Sequence, residues 1–252
     1  MSNRKTIFKI LSVTLALLVW QAAAMAVKSE VLLASPAKVA LRLMGIWREA
    51  GFLKSVAFSF SRIAAGFLLG FFGGIMLAFL SFKSEAAGFL IAPYMALIKT
   101  VPVVCFIVIF LIRFSSRAIS VFISFLIVLP TIYANFLSGL LSADKKLLEV
   151  AAVYEMSAFN RLKYIYLPQT EQHLIPAVGV ALGLAFKSGV AAEVMGIPSG
   201  SIGEQIYQAK IYLNSCDLLT WTAIIILMSF IFDKVFVKLL KEAYSGMKRG
   251  AK

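Results

Sequence analysis

Charged residues are scarce in this sequence. Of its 252 residues 15% are Asp, Glu, Lys or Arg and 61% are hydrophobic, whereas a soluble domain carries about 25% charged residues. A soluble globule cannot bury that much apolar surface, so the composition excludes one. Histidine is nearly absent: His173 is the single one, and no Cys, His or acidic residues fall at metal-ligand spacing. No resident metal and no catalytic residue is expected, and His173, beside Glu171 and ahead of an apolar run, reads as an interfacial polar residue. The two cysteines, Cys105 in an apolar run and Cys216 in a polar loop, are not expected to form a disulfide. There is no Gly-x-x-x-x-Gly-Lys-Ser/Thr loop to cradle nucleotide phosphates and no Gly-x-Ser-x-Gly elbow to expose a nucleophile. The chain therefore does not hydrolyse ATP in the Walker fashion by itself, and an intramembrane hydrolase is disfavoured.

What the sequence has in abundance is long apolar runs, with a mean hydropathy of +0.90. At about 20 residues per span, the length accommodates six membrane helices. Ile10 to Val27, Ile63 to Phe82 and Ala118 to Ala143 are uncharged throughout. Three further runs are interrupted: Glu85 to Arg113 is split by Lys99, a run from Gln172 carries Lys187, and Leu218 to Phe232 lies between Asp217 and Asp233. The first run follows Arg4, Lys5 and Lys9 and exceeds a signal-peptide core, so it reads as a retained span. With six spans and both termini inside, 14 Lys and Arg fall inside and nine outside, which is the positive-inside bias and accounts for much of the net charge of +13. An all-α, polytopic protein of the cell membrane is the expected fold class.

Ser35-Pro36 predicts a helix start, followed by Val39, Leu43, Ile46 and Trp47 on one face, which suits either an amphipathic helix at the outer interface or an ordinary surface helix. Gly66, Gly70 and Gly74, and again Gly179 and Gly183, recur every four residues and predict close helix packing, within the chain or across a dimer face. Arg62 and Lys99 are charges inside spans, each costing about 2.5 to 3.5 kcal/mol at a bilayer centre, so they should face protein or water. Both are candidates for a path taken by an anionic solute, against structural pairing or snorkelling. Glu193 has two open readings, a pair with Lys187 or contact with a partner outside the membrane.

The loop over residues 143–172 is longer than a connection needs. Leu147, Leu148, Ala151, Ala152 and Tyr154 give one apolar helix surface, Glu155-Met156-Ser157 interrupts it, and Ser157 can cap a second helix that continues through Leu162, Ile165 and Tyr166 until Pro168. Such a projection suits a partner's groove or, alternatively, the membrane face.

This loop resembles the cytoplasmic signature of the permease subunits of ATP-binding-cassette importers of the nitrate/sulfonate/taurine type, approximately Glu-x-Ala-x-x-x-Gly-x-Ser, a gap, then Ile-x-Leu-Pro. Glu149, Ala151, Ser157, Ile165, Leu167 and Pro168 stand in those places, and Glu155 departs from the family's glycine. Leu33-Ala34-Ser35-Pro36 with Val39, Ser61-Arg62 with Gly66, Ala92-Pro93 with Thr100-Val101-Pro102, and Ala192-Glu193-Val194 with Gly203 extend the likeness over residues 33–240. The resemblance implies a single transmembrane permease domain over residues 1–252 and a division of labour. A pair of cytoplasmic ATPase subunits binds ATP and Mg, an extracytoplasmic binding protein delivers solute, and two permease copies form an alternating-access path, as a homodimer. It also implies that Glu149, Ala151, Ala152, Tyr154, Glu155, Met156, Ser157, Ala158, Asn160, Leu167 and Pro168 form the coupling loop between the fourth and fifth spans. The basic tail, Lys241, Lys248, Arg249 and Lys252, suits anionic lipid rather than nucleic acid. A self-sufficient six-span secondary transporter or channel is the alternative, and it lacks the intramembrane acidic relay usual in that class.

Overall fold

The computed structural model describes the backbone of residues 2–29 and 31–249, without the side chains of residues 2–5, 9, 10 and 247–249. The charges of Arg4, Lys5, Lys9, Lys248, Arg249 and Lys252 lie outside the described residues. All regular structure among the described residues is helical: α1 Ser2–Val27, α2 Pro36–Gly45, α3 Phe52–Lys83, α4 Glu85–Thr100, α5 Val103–Arg113, α6 Ile119–Leu141, α7 Lys145–Val153, α8 Ala158–Arg161, α9 Leu167–Gly196, α10 Ile202–Ile211 and α11 Ser215–Arg249.

Among the described residues four stretches are long and apolar enough to cross a bilayer: Thr6–Val27, Phe52–Lys83, Ser116–Leu141 and Ala158–Gly196. α4 and α5 make a fifth if they count as one span broken by 98°. By length and composition alone the described residues thus give four or five spans, against the six expected. The sixth expected run, Leu218 to Phe232, lies within the 35-residue α11, which runs from Asp217 beside Arg42 to Tyr244 beside Thr170. The break in the third span falls at Val101–Pro102, not at Lys99. Val101 is extended, as a residue before proline prefers, and Pro102 has no N–H to continue the ladder. Lys99 instead occupies the last turn of α4, where a cation complements the carbonyl end.

The core is α6 held between α3 and α9. A Cβ on Gly66 would stand 2.3 Å from the Val121 carbonyl oxygen, and one on Gly70 2.8 Å from Val128 Cβ. Any side chain there would push the helices apart, so this glycine row serves packing within the chain. Gly139 on α6 meets Thr170 on α9 in the same way, at 2.7 Å from its Cα. Ile63, Phe67, Val128, Ile132, Leu182 and Phe186 fill the space between, all fully buried. α11 joins through Phe232 and Phe236, whose rings meet Phe67 edge-on at 5.7 and 4.9 Å. The second glycine row behaves differently, since Gly183 has open space where a Cβ would go and Gly179 only the Asp233 carboxylate at 3.5 Å.

At one end of the bundle α2 is capped by Ser35, whose hydroxyl accepts from the Lys38 N–H at 3.4 Å. Val39 and Ile46 are buried, while Trp47 remains exposed with its edge against Phe52. Arg42 bridges Glu49 and Asp217, fastening α2 to the first turn of α11. α1 stands apart: no residue of its apolar window is buried, and Trp20 donates its indole N–H to the Ala34 carbonyl at 3.1 Å. Cys105 and Cys216 are free thiols.

Candidate functional site

The 143–172 loop is built as two short helices around a tight turn. Asp144 starts α7 by accepting from the Lys146 N–H at 2.9 Å. α7 ends with Glu155 at φ +50°, the left-handed conformation, so that Met156 N–H reaches the Ala151 carbonyl at 2.9 Å and Glu155 N–H the Ala152 carbonyl at 3.1 Å. This pair of bonds is the glycine-type helix terminator, here made by a glutamate. Ser157 then caps α8 by accepting from the Asn160 N–H at 3.3 Å, and Arg161 donates to the Met156 carbonyl at 3.1 Å. The turn therefore forms with a glutamate at the position where the resemblance has glycine.

Of the expected loop residues, Ala151 is buried, Met156, Leu167 and Pro168 are half-buried, and Glu149, Ala152, Tyr154, Glu155, Ser157, Ala158 and Asn160 are exposed. The apolar surface differs from the expected one. Ala151 faces inward and Leu148 is half-buried, while Val153, Tyr154 and Phe159 stand 81%, 79% and 71% exposed around the turn. Pro168 does not end the second helix. A π-turn over Leu162–Tyr166, in which the Leu167 N–H bonds to the Leu162 carbonyl, carries the chain into α9. The wider turn accommodates a proline that has no N–H and whose ring would crowd the carbonyl four residues back. The loop packs on the end of α3, with the Tyr166 and Phe82 rings 4.9 Å apart. Beside it Tyr244 of α11 meets Thr170 of α9 by a buried 2.6 Å hydrogen bond. Burial raises the Tyr244 phenol above its usual range.

Arg62 and Lys99 are not brought into one cluster by any bond among the described residues. The Arg62 guanidinium donates to the Arg117 carbonyl at 2.8 Å and lies 3.7 Å from the centre of the Phe58 ring, which makes it a tie between α3 and the start of α6. Lys99 is exposed. Glu193 fulfils neither expectation. It is completely buried on α9, accepts from the Ser59 hydroxyl at 2.6 Å, and accepts from the Gly203 N–H at 3.3 Å. Ser59 in turn accepts from the Ile202 N–H at 2.9 Å, so the open N–H groups of α10 are capped by residues from α3 and α9. Ser59 lies 134 residues from Glu193, and sequence spacing carries no signal for such a pair.

The family model for the binding-protein-dependent transport system inner membrane component matches residues 70–241. A putative aliphatic sulfonates transport permease protein of Bacillus subtilis (strain 168) is 27% identical over 228 residues, which is 89% of this chain and 81% of that protein. A nitrate import permease protein of Leptolyngbya laminosa is 26% identical over 63% of this chain and 56% of its own length. A formylaminopyrimidine transport permease protein of Halalkalibacterium halodurans is 25% identical over 73% and 74%. In three dimensions the chain is similar to a crystal structure of an amino acid ABC transporter with histidines, with a TM-score of 0.62 over 77% of this chain and 94% of that one, at 16% identity, which speaks to the fold. The family match extends from Gly70 on α3 through the α7–α8 turn to α11, and on it the chain belongs to the inner membrane components of binding-protein-dependent transport systems.

Proposed function

We propose that this chain is the permease subunit of an ATP-binding-cassette importer and that the α7–α8 turn is where a separate ATPase takes hold. The observation that carries the reading is the exposed Val153, Tyr154 and Phe159 around a turn whose backbone bonds are all internal. Such a group costs free energy in water and suits a groove on a partner. A pair of ATPase subunits would bind ATP and Mg on the cytoplasmic side, where both termini of this chain also lie. A binding protein would deliver solute from the other side, and a second copy of this chain would complete the path, with lipid around it. Relatives named for sulfonates and nitrate support a small anionic solute.

Tagged chain purified from its native membranes after mild cross-linking should bring down an ATP-binding subunit. Glu149→Lys and Tyr154→Ala should each reduce that yield while the permease itself is recovered at the wild-type level. A chain that purifies alone and moves solute into vesicles without ATP would overturn the proposal in favour of a self-sufficient transporter.

A further inference from the structure

Between α9 and α11 runs a groove of about 570 Å³ that the coupling turn does not touch. Its floor on α9 is the line Gly179, Gly183 and Lys187, each four residues from the next, so two positions without side chains lead to one with a long cationic one. Asp233 faces Gly179 from α11, and its Oδ1 is buried with no hydrogen-bond partner among the described residues. Lys187 and Asp233 both line the groove, yet no ion pair joins them. Apart from these charges the walls are largely apolar, with Phe186, Val190 and Ile225 among them.

The exposed side of α9 runs along the groove and beyond it as Val180, Leu184, Lys187, Ala191 and Met195, one stripe on a helix otherwise enclosed by its neighbours. An ammonium in the interior of a membrane helix, nine residues before that helix ends at Gly196, does not face hydrocarbon without a partner. Its surroundings in the working protein must therefore supply water or an anion. The glycines keep the groove open beside it, so what meets the ammonium can be a solute rather than another side chain.

We infer that this groove belongs to the solute path and that Lys187 holds the anionic end of the solute. The inference rests on the importer reading and moves the path charge from Arg62, which is already bonded, to Lys187. Ala191→Cys, one turn beyond Lys187, supplies a test in a chain whose Cys105 and Cys216 are replaced by Ser, kept in membranes with its partners. A sulfonate-bearing methanethiosulfonate should label the new thiol, and about tenfold faster than the trimethylammonium reagent after correction for their rates with a free thiol. Adding Lys187→Met should remove that preference, and Lys187→Arg should restore it. Labelling by a membrane-permeant maleimide alone would overturn the inference, because the stripe would then face lipid. Labelling by both charged reagents with a preference that Lys187→Met leaves unchanged would overturn the role of Lys187. Failure of the importer reading would register separately, as absence of an ATPase from the purified complex whatever the labelling.

Discussion

Glu155 holds a left-handed backbone at φ +50°, where a Cβ costs about 1–2 kcal/mol and glycine costs nothing. Glu155→Gly should therefore raise the stability of the purified chain by about 1 kcal/mol, and Glu155→Val should lower it by at least as much, read from thermal unfolding in detergent. Glu193 presents the opposite situation, a side chain whose value lies in what it satisfies. Glu193→Leu leaves the Ser59 hydroxyl and the Gly203 N–H without their acceptor, at about 1–3 kcal/mol for each group. A double-mutant cycle with Ser59→Ala should show strong coupling between the two, while Arg62→Gln combined with Lys99→Gln should be additive.

Two glycine rows with the same spacing have different fates, and substitutions should separate them. Gly66→Ala and Gly70→Ala drive a methyl group into the backbone or Cβ of α6 and should each cost about 1–3 kcal/mol, seen as a lower melting temperature and a smaller folded yield. Gly183→Ala meets nothing within 4 Å and, gaining helix propensity, should melt no lower than the parent. The sequence could announce both rows but not which of them faces a helix, because that depends on how α6 and α11 come together. Helix identity was legible from uncharged length, and the loop's break and restart were legible from Ser157 and from the polar interruption at Glu155-Met156. The continuation through Pro168 was not, since a π-turn leaves no composition of its own. Nor was the exposure of Leu147, Ala152 and Tyr154, which is decided by packing rather than by the apolar pattern of α7. The limits of α11 were hidden for a further reason: its apolar stretch ends at Asp233, but the helix continues to Arg249 on an amphipathic face that packs Tyr244 against Thr170.

At the level of the whole molecule, the chain is a firmly packed set of α3, α6, α9 and α11 with a loosely attached first helix. Because α1 contributes no buried residue from its apolar window, a protease site placed between Val27 and Leu32 and cut after purification should leave the melting temperature of the remainder within about 2 °C of the uncut chain. A larger drop would mean that α1 supports the core. The helical stretch from Ala158 through the π-turn to Gly196 flanks α6, with the α7–α8 turn at one end and the buried Glu193 near the other. At about 1.5 Å per residue its 39 residues form a rod of about 58 Å. If the rod pivots near one end by about 10°, its far tip sweeps about 10 Å, the width of a helix, with no change in any hydrogen bond along it. Mechanical work delivered at Ser157 would then be felt at the α10 cap as displacement rather than strain, and the π-turn at Leu162–Tyr166 is the joint whose stiffness sets how much of the stroke is lost.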